Sequence, residues 1–169
     1  ASMRTLVLNE RMAGNLYTQH AAFQAAEAGA QAALTYITDQ TAPIVATASG
    51  TYKVWPGCTI ADGAAPSCGA AGAGSHPCCR LQAVLEDWES GTPTEGIVLD
   101  GFGGSPLSSI SAAYQPRVHI ESRYIAPLDV EAAARGAGVH FYTVTAVGAG
   151  PSENTRALLQ TTIPRVYAW

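Results

Sequence analysis

From Arg4 to Gln40 the apolar positions recur at helical spacing. Met12, Leu16, Phe23, Ala26, Ala30, Leu34 and Ile37 are separated by three, four or seven residues, which sets them along one side of an α-helix. The residues between them are rich in Ala, Gln, Glu and Leu, types that lose little freedom in a helix. No proline precedes Pro43. One continuous helix over 4–40 is predicted, about 50 Å long at about 1.5 Å per residue. A small domain spans only about 30 Å, so part of this helix is expected to project from the body that covers the rest. Its C-terminal half carries one broad apolar stripe. In its N-terminal half Leu6, Val7 and Leu8 point in three directions, among Arg4, Asn9, Glu10, Arg11 and Asn15. Small side chains at Ala13, Ala21, Ala22, Ala25, Ala28 and Ala32 admit other backbones closely. The pattern describes a helix packed on its own domain at one end and open to partner helices at the other. An ordinary amphipathic helix with a frayed start is the plainer alternative.

The pattern changes after Pro43. Residues 51–55 alternate and read as a short strand stopped by Pro56-Gly57. Residues 58–75 are mostly Gly, Ala, Ser and Pro, with almost nothing to bury. Ser75 and Pro77 then form a helix start, and Leu81, Val84, Leu85 and Trp88 give a short amphipathic helix ending near Glu89, before Gly91 and Pro93. Residues 96–100 read as a strand or a buried connection, and 101–106 as a turn-rich loop. The last third has period two. Arg117, His119, Glu121 and Arg123 fall on one face of a strand, and Val118, Ile120 and Tyr124 on the other, so one face is expected wet and one dry. His119 is expected to be solvated, and His140 to pair across strands with a carboxylate such as Glu121. Residues 129–138 are an excursion, either a loop or a single helical turn. Residues 139–147 are β-branched and aromatic on both faces, as in a central strand. A hairpin over 148–154 leads into a strand from Thr155 to Ile163. Pro164 is expected to send 165–169 to an edge or out of the sheet. The sum is an α+β roll, a long helix on an antiparallel sheet, with a stapled loop and a short second helix. Residues 1–2 read as a cloning remnant, 3–40 as the helix and 41–169 as a globular head.

Composition narrows the setting. Of 169 residues, 13% are charged, about half the usual share. The net charge is −4 and Lys53 is the only lysine, which excludes a basic nucleic-acid footprint. No apolar run approaches the about 18 residues of a membrane span. Four cysteines, Cys58, Cys68, Cys78 and Cys79, crowd into one small-residue loop, a pattern of disulfides in an oxidising compartment. A metal site using them with His76 fits less well, because the gaps between Cys58, Cys68 and Cys78 are too wide for paired zinc ligands. A Cys78–Cys79 bridge is strained by the neighbours' short Cα separation. Cys58 with Cys78 and Cys68 with Cys79, or the reverse, both stay open.

The segment Asn-Glu-Arg-Met-Ala-Gly-Asn at 9–15, followed by Ala-Phe-Gln-Ala-Ala-Glu-Ala at 22–28, resembles the N-terminal signature of PilX-type minor pilins of the bacterial type IV pilus. Residues 141–148 and 157–161 resemble the last strands of that family. The resemblance implies a pilin fold and a structural subunit of a priming complex at the pilus tip. That complex initiates assembly and supports adhesion and twitching motility. It implies an assembly helix in which Glu10, Arg11, Met12, Leu16, Phe23 and Glu27 meet the major pilin and other minor pilins, with a non-pilin tip adhesin as a further partner. Glu10 and Arg11 pair with neighbouring helices or are solvated. It also implies a leader and an apolar N-terminal segment outside this sequence, hence a soluble fragment of an inner-membrane protein whose head faces the periplasm before assembly and the exterior afterwards. A pseudopilin of a type II secretion system and an extracellular binding module with its ligand in the glycine-rich loops are the alternatives.

No catalytic constellation is expected. Glu86, Asp87 and Glu89 lack an accompanying nucleophile or histidine. The glycines at 101–104 lack the Lys-Ser/Thr of a phosphate loop, and no cofactor is implied.

Overall fold

The computed structural model describes residues 2–44, 46, 54–57, 77–89, 97–102, 104–111, 114–125, 130–134, 138–151 and 155–167. The first element, α1, runs unbroken over Ser2–Thr38, two residues short of the predicted end. β1 (Trp55–Pro56) precedes α2 (Pro77–Glu89), β2 (Ile97–Val98) and a 3-10 turn (Leu99–Phe102). Three long elements follow, β3 (Arg117–Ile125), β4 (Gly138–Ala149) and β5 (Arg156–Tyr167), with a single helical turn, α3 (Val130–Ala134), between β3 and β4. The residues of the loop from Cys58 to His76, the N-cap at Ser75 and the stops at Gly91 and Pro93 lie outside the described residues.

The sheet order is β1-β3-β4-β5, and β2 also pairs with β3. β3 and β4 are antiparallel from Arg117↔Val147 to Ile125↔Val139. β4 and β5 are antiparallel from Gly138↔Tyr167 to Ala149↔Arg156. β4 is therefore the central strand, as its double-sided apolar pattern predicts. Two details depart from expectation. The sheet is not wholly antiparallel, because β1 pairs parallel with β3 through Trp55↔Glu121. And β5 does not stop at Ile163: Pro164 sits inside it, opposite Phe141. Proline is tolerated there because β5 is the edge of the described sheet and needs no donor on its outer side.

α1 lies across β4 and β5, and the face it buries is not the line of large apolar residues. Ala22, Ala25, Ala26, Ala30, Ala33 and Ile37 are at most 4% exposed, whereas Met12, Leu16 and Phe23 are 63%, 64% and 44% exposed. The reason is distance. A Cβ added to Gly148 of β4 would meet the Ala26 backbone nitrogen and the Ala22 carbonyl oxygen, and would lie 2.8 Å from the Ala25 carbonyl carbon. The helix backbone thus rests on the strand backbone, and only small side chains fit between them. One turn further on, Gly29 faces Val118, Pro116 and Ala146. Beneath the helix end the core fills out with Ile37, Val54, Ile120, Tyr142 and Val144, and Tyr36 packs a tilted ring on Phe102 at 5.6 Å.

The face of β3 away from α1 is not wet throughout. His119 is 2% exposed, stacked on Trp55 at 6.2 Å and hydrogen-bonded through Nε2 to Glu121 Oε1 at 3.3 Å. This overturns two expectations, the solvated His119 and the His140–Glu121 pair. His140 stands opposite Arg165, and its ring contacts Tyr142 and Tyr167.

Candidate assembly interface

Residues 7–17 of α1 are all exposed, on every face of the helix. An ordinary surface helix hides one stripe on its own body; this length hides none. Val7, Leu8, Met12, Leu16 and Tyr17 are 49–69% exposed, so the three turns present an unusual share of apolar surface. Glu10 and Arg11 are exposed beside them, and Glu27 is exposed further along. Of the predicted assembly residues, Met12, Leu16 and Phe23 share one side of the rod, and Glu27 continues it toward the head. Among the described residues, none of the six is enclosed by the chain's own fold.

The opposite end of the helix is locked. The Arg165 guanidinium on β5 donates through Nη2 to the Thr38 carbonyl at 2.9 Å and the Gln40 carbonyl at 3.1 Å. The last carbonyls of a helix have no partner within it and carry the negative end of its dipole, so a cation here satisfies both. Beside it, the Ile44 N–H donates to the Tyr142 hydroxyl at 3.2 Å, and the Tyr142 and Tyr167 hydroxyls are 3.4 Å apart. Burial, reinforced by the Tyr167 contact, raises the Tyr142 pKa well above that of a free phenol. Sequence reading missed this clasp. The only signal was a basic residue two positions before a tyrosine in the final strand, and nothing in one dimension pairs Arg165 with Thr38.

At the near end of the head, Gln115 is 9% exposed. Its Oε1 accepts from the Leu107 N–H at 2.8 Å, and its Nε2 donates to the Leu107 and Ile110 carbonyls at 2.9 and 2.7 Å. One amide thereby supplies the ladder that the 104–111 loop lacks, and holds that loop next to Tyr17 and His20 of α1 across a shallow groove.

Cys79 is buried and disulfide-bonded. Its partner, and the side chains of Cys58, Cys68 and Cys78, lie outside the described residues. No helix among the described residues is long and apolar enough to cross a membrane.

A long helix capped at one end by a mainly antiparallel sheet and bare at the other is a pilin-like α+β architecture. Residues 31–165 match the family described as Type IV pilus assembly protein PilX C-term, and residues 1–31 match PilX N-terminal. The chain belongs to the PilX family of type IV pilus assembly proteins. Comparison with curated proteins and with solved structures finds no match. The family is one of structural pilus components, so the chain's setting is the cell envelope and the pilus.

Proposed function

We propose that this protein is a minor pilin that works by packing, without catalysis. The exposed length of α1 joins helices of the major pilin and of other minor pilins in the priming complex at the pilus tip. That complex starts assembly and carries the adhesion and twitching functions of the pilus. The observation that carries this reading is the bare stretch 7–17 with its apolar side chains. Water penalises that surface at about 25 cal/mol per Å², and neighbouring helices or lipid remove the penalty. Before assembly an apolar segment preceding this sequence holds the protein in the inner membrane, with its head in the periplasm. There two bridges among Cys58, Cys68, Cys78 and Cys79 staple the small-residue loop, stabilising it by about 2–4 kcal/mol each. A non-pilin adhesin at the tip is a further partner of the head.

Co-purification of the chain with the other minor pilins of its own pilus tests the reading. The wild-type chain is expected to retain at least one of them, and Met12→Glu with Leu16→Glu to release it. Retention of none by the wild type, or equal retention by the double variant, overturns it.

A further inference from the structure

The outer edge of β5 has the geometry of a strand acceptor. The Gly150 N–H donates to the Thr155 carbonyl at 2.8 Å, so that rung of the β4–β5 ladder is a bonded one. Antiparallel rungs alternate between bonded and open. The odd-numbered residues of β5 therefore bond to β4, and the even-numbered ones direct N–H and C=O outward. Pro164, which has no N–H, stands at an even position, as this alternation requires. Among the described residues no strand pairs with the outer side of β5, so Arg156, Leu158, Gln160 and Thr162 offer outward donors and acceptors along about 20 Å. Leu158 is 52% exposed.

Edges of this kind are usually blunted by lysine, proline or a bulge. From 156 to 163 there is no lysine or proline, and the register with β4 runs without a bulge. On the helix side of the edge lies an open groove of about 660 Å³, between Leu159–Thr161 and the side chains of Gln24, Glu27 and Gln31. Glu27 is exposed and has no ion pair among the described residues.

Charge and area choose the occupant. Two-fold pairing of β5 with β5 of a second copy brings both Glu27 carboxylates to one groove, where they repel. A strand pair of this length also buries well under the about 1,200 Å² of a stable dimer. We infer that the outer edge of β5 accepts an extended segment of a different subunit, with Lys or Arg directed at Glu27. Main-chain bonds supply affinity and the basic side chain supplies selectivity. The origin of that segment in the pilus rests on the assembly reading above; the edge does not.

Amide hydrogen exchange tests the site, with a synthetic peptide of about nine residues alternating threonine and valine around a central lysine, and its glutamate counterpart. In the free chain the amides of Leu158, Gln160 and Thr162 are expected to exchange about a hundredfold faster than those of Leu159, Thr161 and Ile163. The lysine peptide slows the first set and binds about tenfold more tightly than the glutamate peptide. Leu158→Pro removes one outward donor and leaves the β4 ladder whole, so it weakens binding about tenfold, whereas Leu158→Ala does not. Glu27→Lys reverses the peptide preference. The inference is overturned if the lysine peptide leaves those amides fast, or if Leu158→Pro binds like Leu158→Ala. Co-purification distinguishes the two readings. A wild-type chain that retains no pilin but binds the lysine peptide upholds the edge and sinks the assembly reading. Retention of pilins by the wild type, with the outward amides left fast by the lysine peptide, does the reverse.

Discussion

Gly148 of β4 lies directly under Ala26 of α1, so close that a single methyl group on the strand would collide with the helix backbone. Both sides of this contact are main chain, and neither can shift without moving its whole element. Gly148→Ala is expected to destabilise the head by about 3 kcal/mol, lowering Tm by roughly 6–12 °C. Gly14, on the bare part of the same helix, has nothing within 4 Å of such a methyl. Gly14→Ala is expected to leave Tm unchanged or raise it slightly, because alanine favours a helix by up to about 1 kcal/mol over glycine. Thermal melts of the two variants check the contrast.

Arg165 closes the other end of that helix. Arg165→Met keeps the stem and removes both bonds to the Thr38 and Gln40 carbonyls, at an expected cost of about 1.5–3 kcal/mol. Amide exchange of Gln40, whose N–H donates to the Ile37 carbonyl at 3.4 Å, should rise in the variant before that of β4 does. Arg165→Lys is expected to recover less than half of the loss, since an ammonium is more strongly hydrated and its flexible stem does not aim two donors at the carbonyls as the rigid guanidinium plane aims the two Nη2 hydrogens.

Tyr142 gives the fold an alkaline limit. Its phenol holds its proton to higher pH when folded than the ordinary value of 10.0. Below pH of about 10 both folded and unfolded chains carry the neutral form, and the stabilisation is complete. As pH rises further the unfolded state deprotonates first, so stability falls by up to about 1.4 kcal/mol per pH unit. Tyr142→Phe should remove this slope in denaturant titrations above pH of about 10. At neutral pH the same variant should cost about 1 kcal/mol, because the Ile44 N–H loses its acceptor.

Gln115 holds its loop with three hydrogen bonds from one side chain. Gln115→Leu leaves the Leu107 N–H and the Ile110 carbonyl without the partner Gln115 gives them in a half-buried site, while the Leu107 carbonyl keeps the Ile110 N–H at 3.1 Å, for an expected loss of about 2–3 kcal/mol. Exchange at the Leu107 amide reports it locally, and a Leu107 amide that stays protected would show that another group takes over.

Met12 and Leu16 stand at 63% and 64% exposure, so the isolated chain gains nothing from them. Met12→Glu with Leu16→Glu is expected to shift stability by no more than about 0.5 kcal/mol per site. A melt within about 4 °C of wild type, alongside lost retention of partner pilins, separates an assembly defect from a folding one.

Much of this molecule was legible in one dimension. Helical propensity with no proline before Pro43, and helical spacing over about seven turns from Met12 to Ile37, specify α1. The two-sided apolar run at 139–147 marks β4 as central, and Leu81, Val84 and Trp88 place α2. The exposure of Met12 and Leu16 was foreseeable from helix length alone, since about 50 Å of helix outruns a small head. The motif at 9–15 and 22–28 carried the family. The pattern put Ala26, Ala30 and Ile37 rightly on the buried face of α1, but it also put Phe23 there, which is 44% exposed, and left out Ala22, Ala25 and Ala33. Periodicity marks apolar residues without ranking them by size, and the strand backbone at Gly148 admits only alanine. His119 was misjudged for the same kind of reason: a polar position on a strand reads as wet until Trp55, brought over by a two-residue parallel pairing, covers it. The Arg165 bonds to Thr38 and Gln40, the Tyr142–Ile44 contact and the Gln115 bonds to the 104–111 loop had no local signature. Each joins groups whose proximity depends on how helix, loop and sheet are stacked, and hydrogen-bond geometry has no period to read.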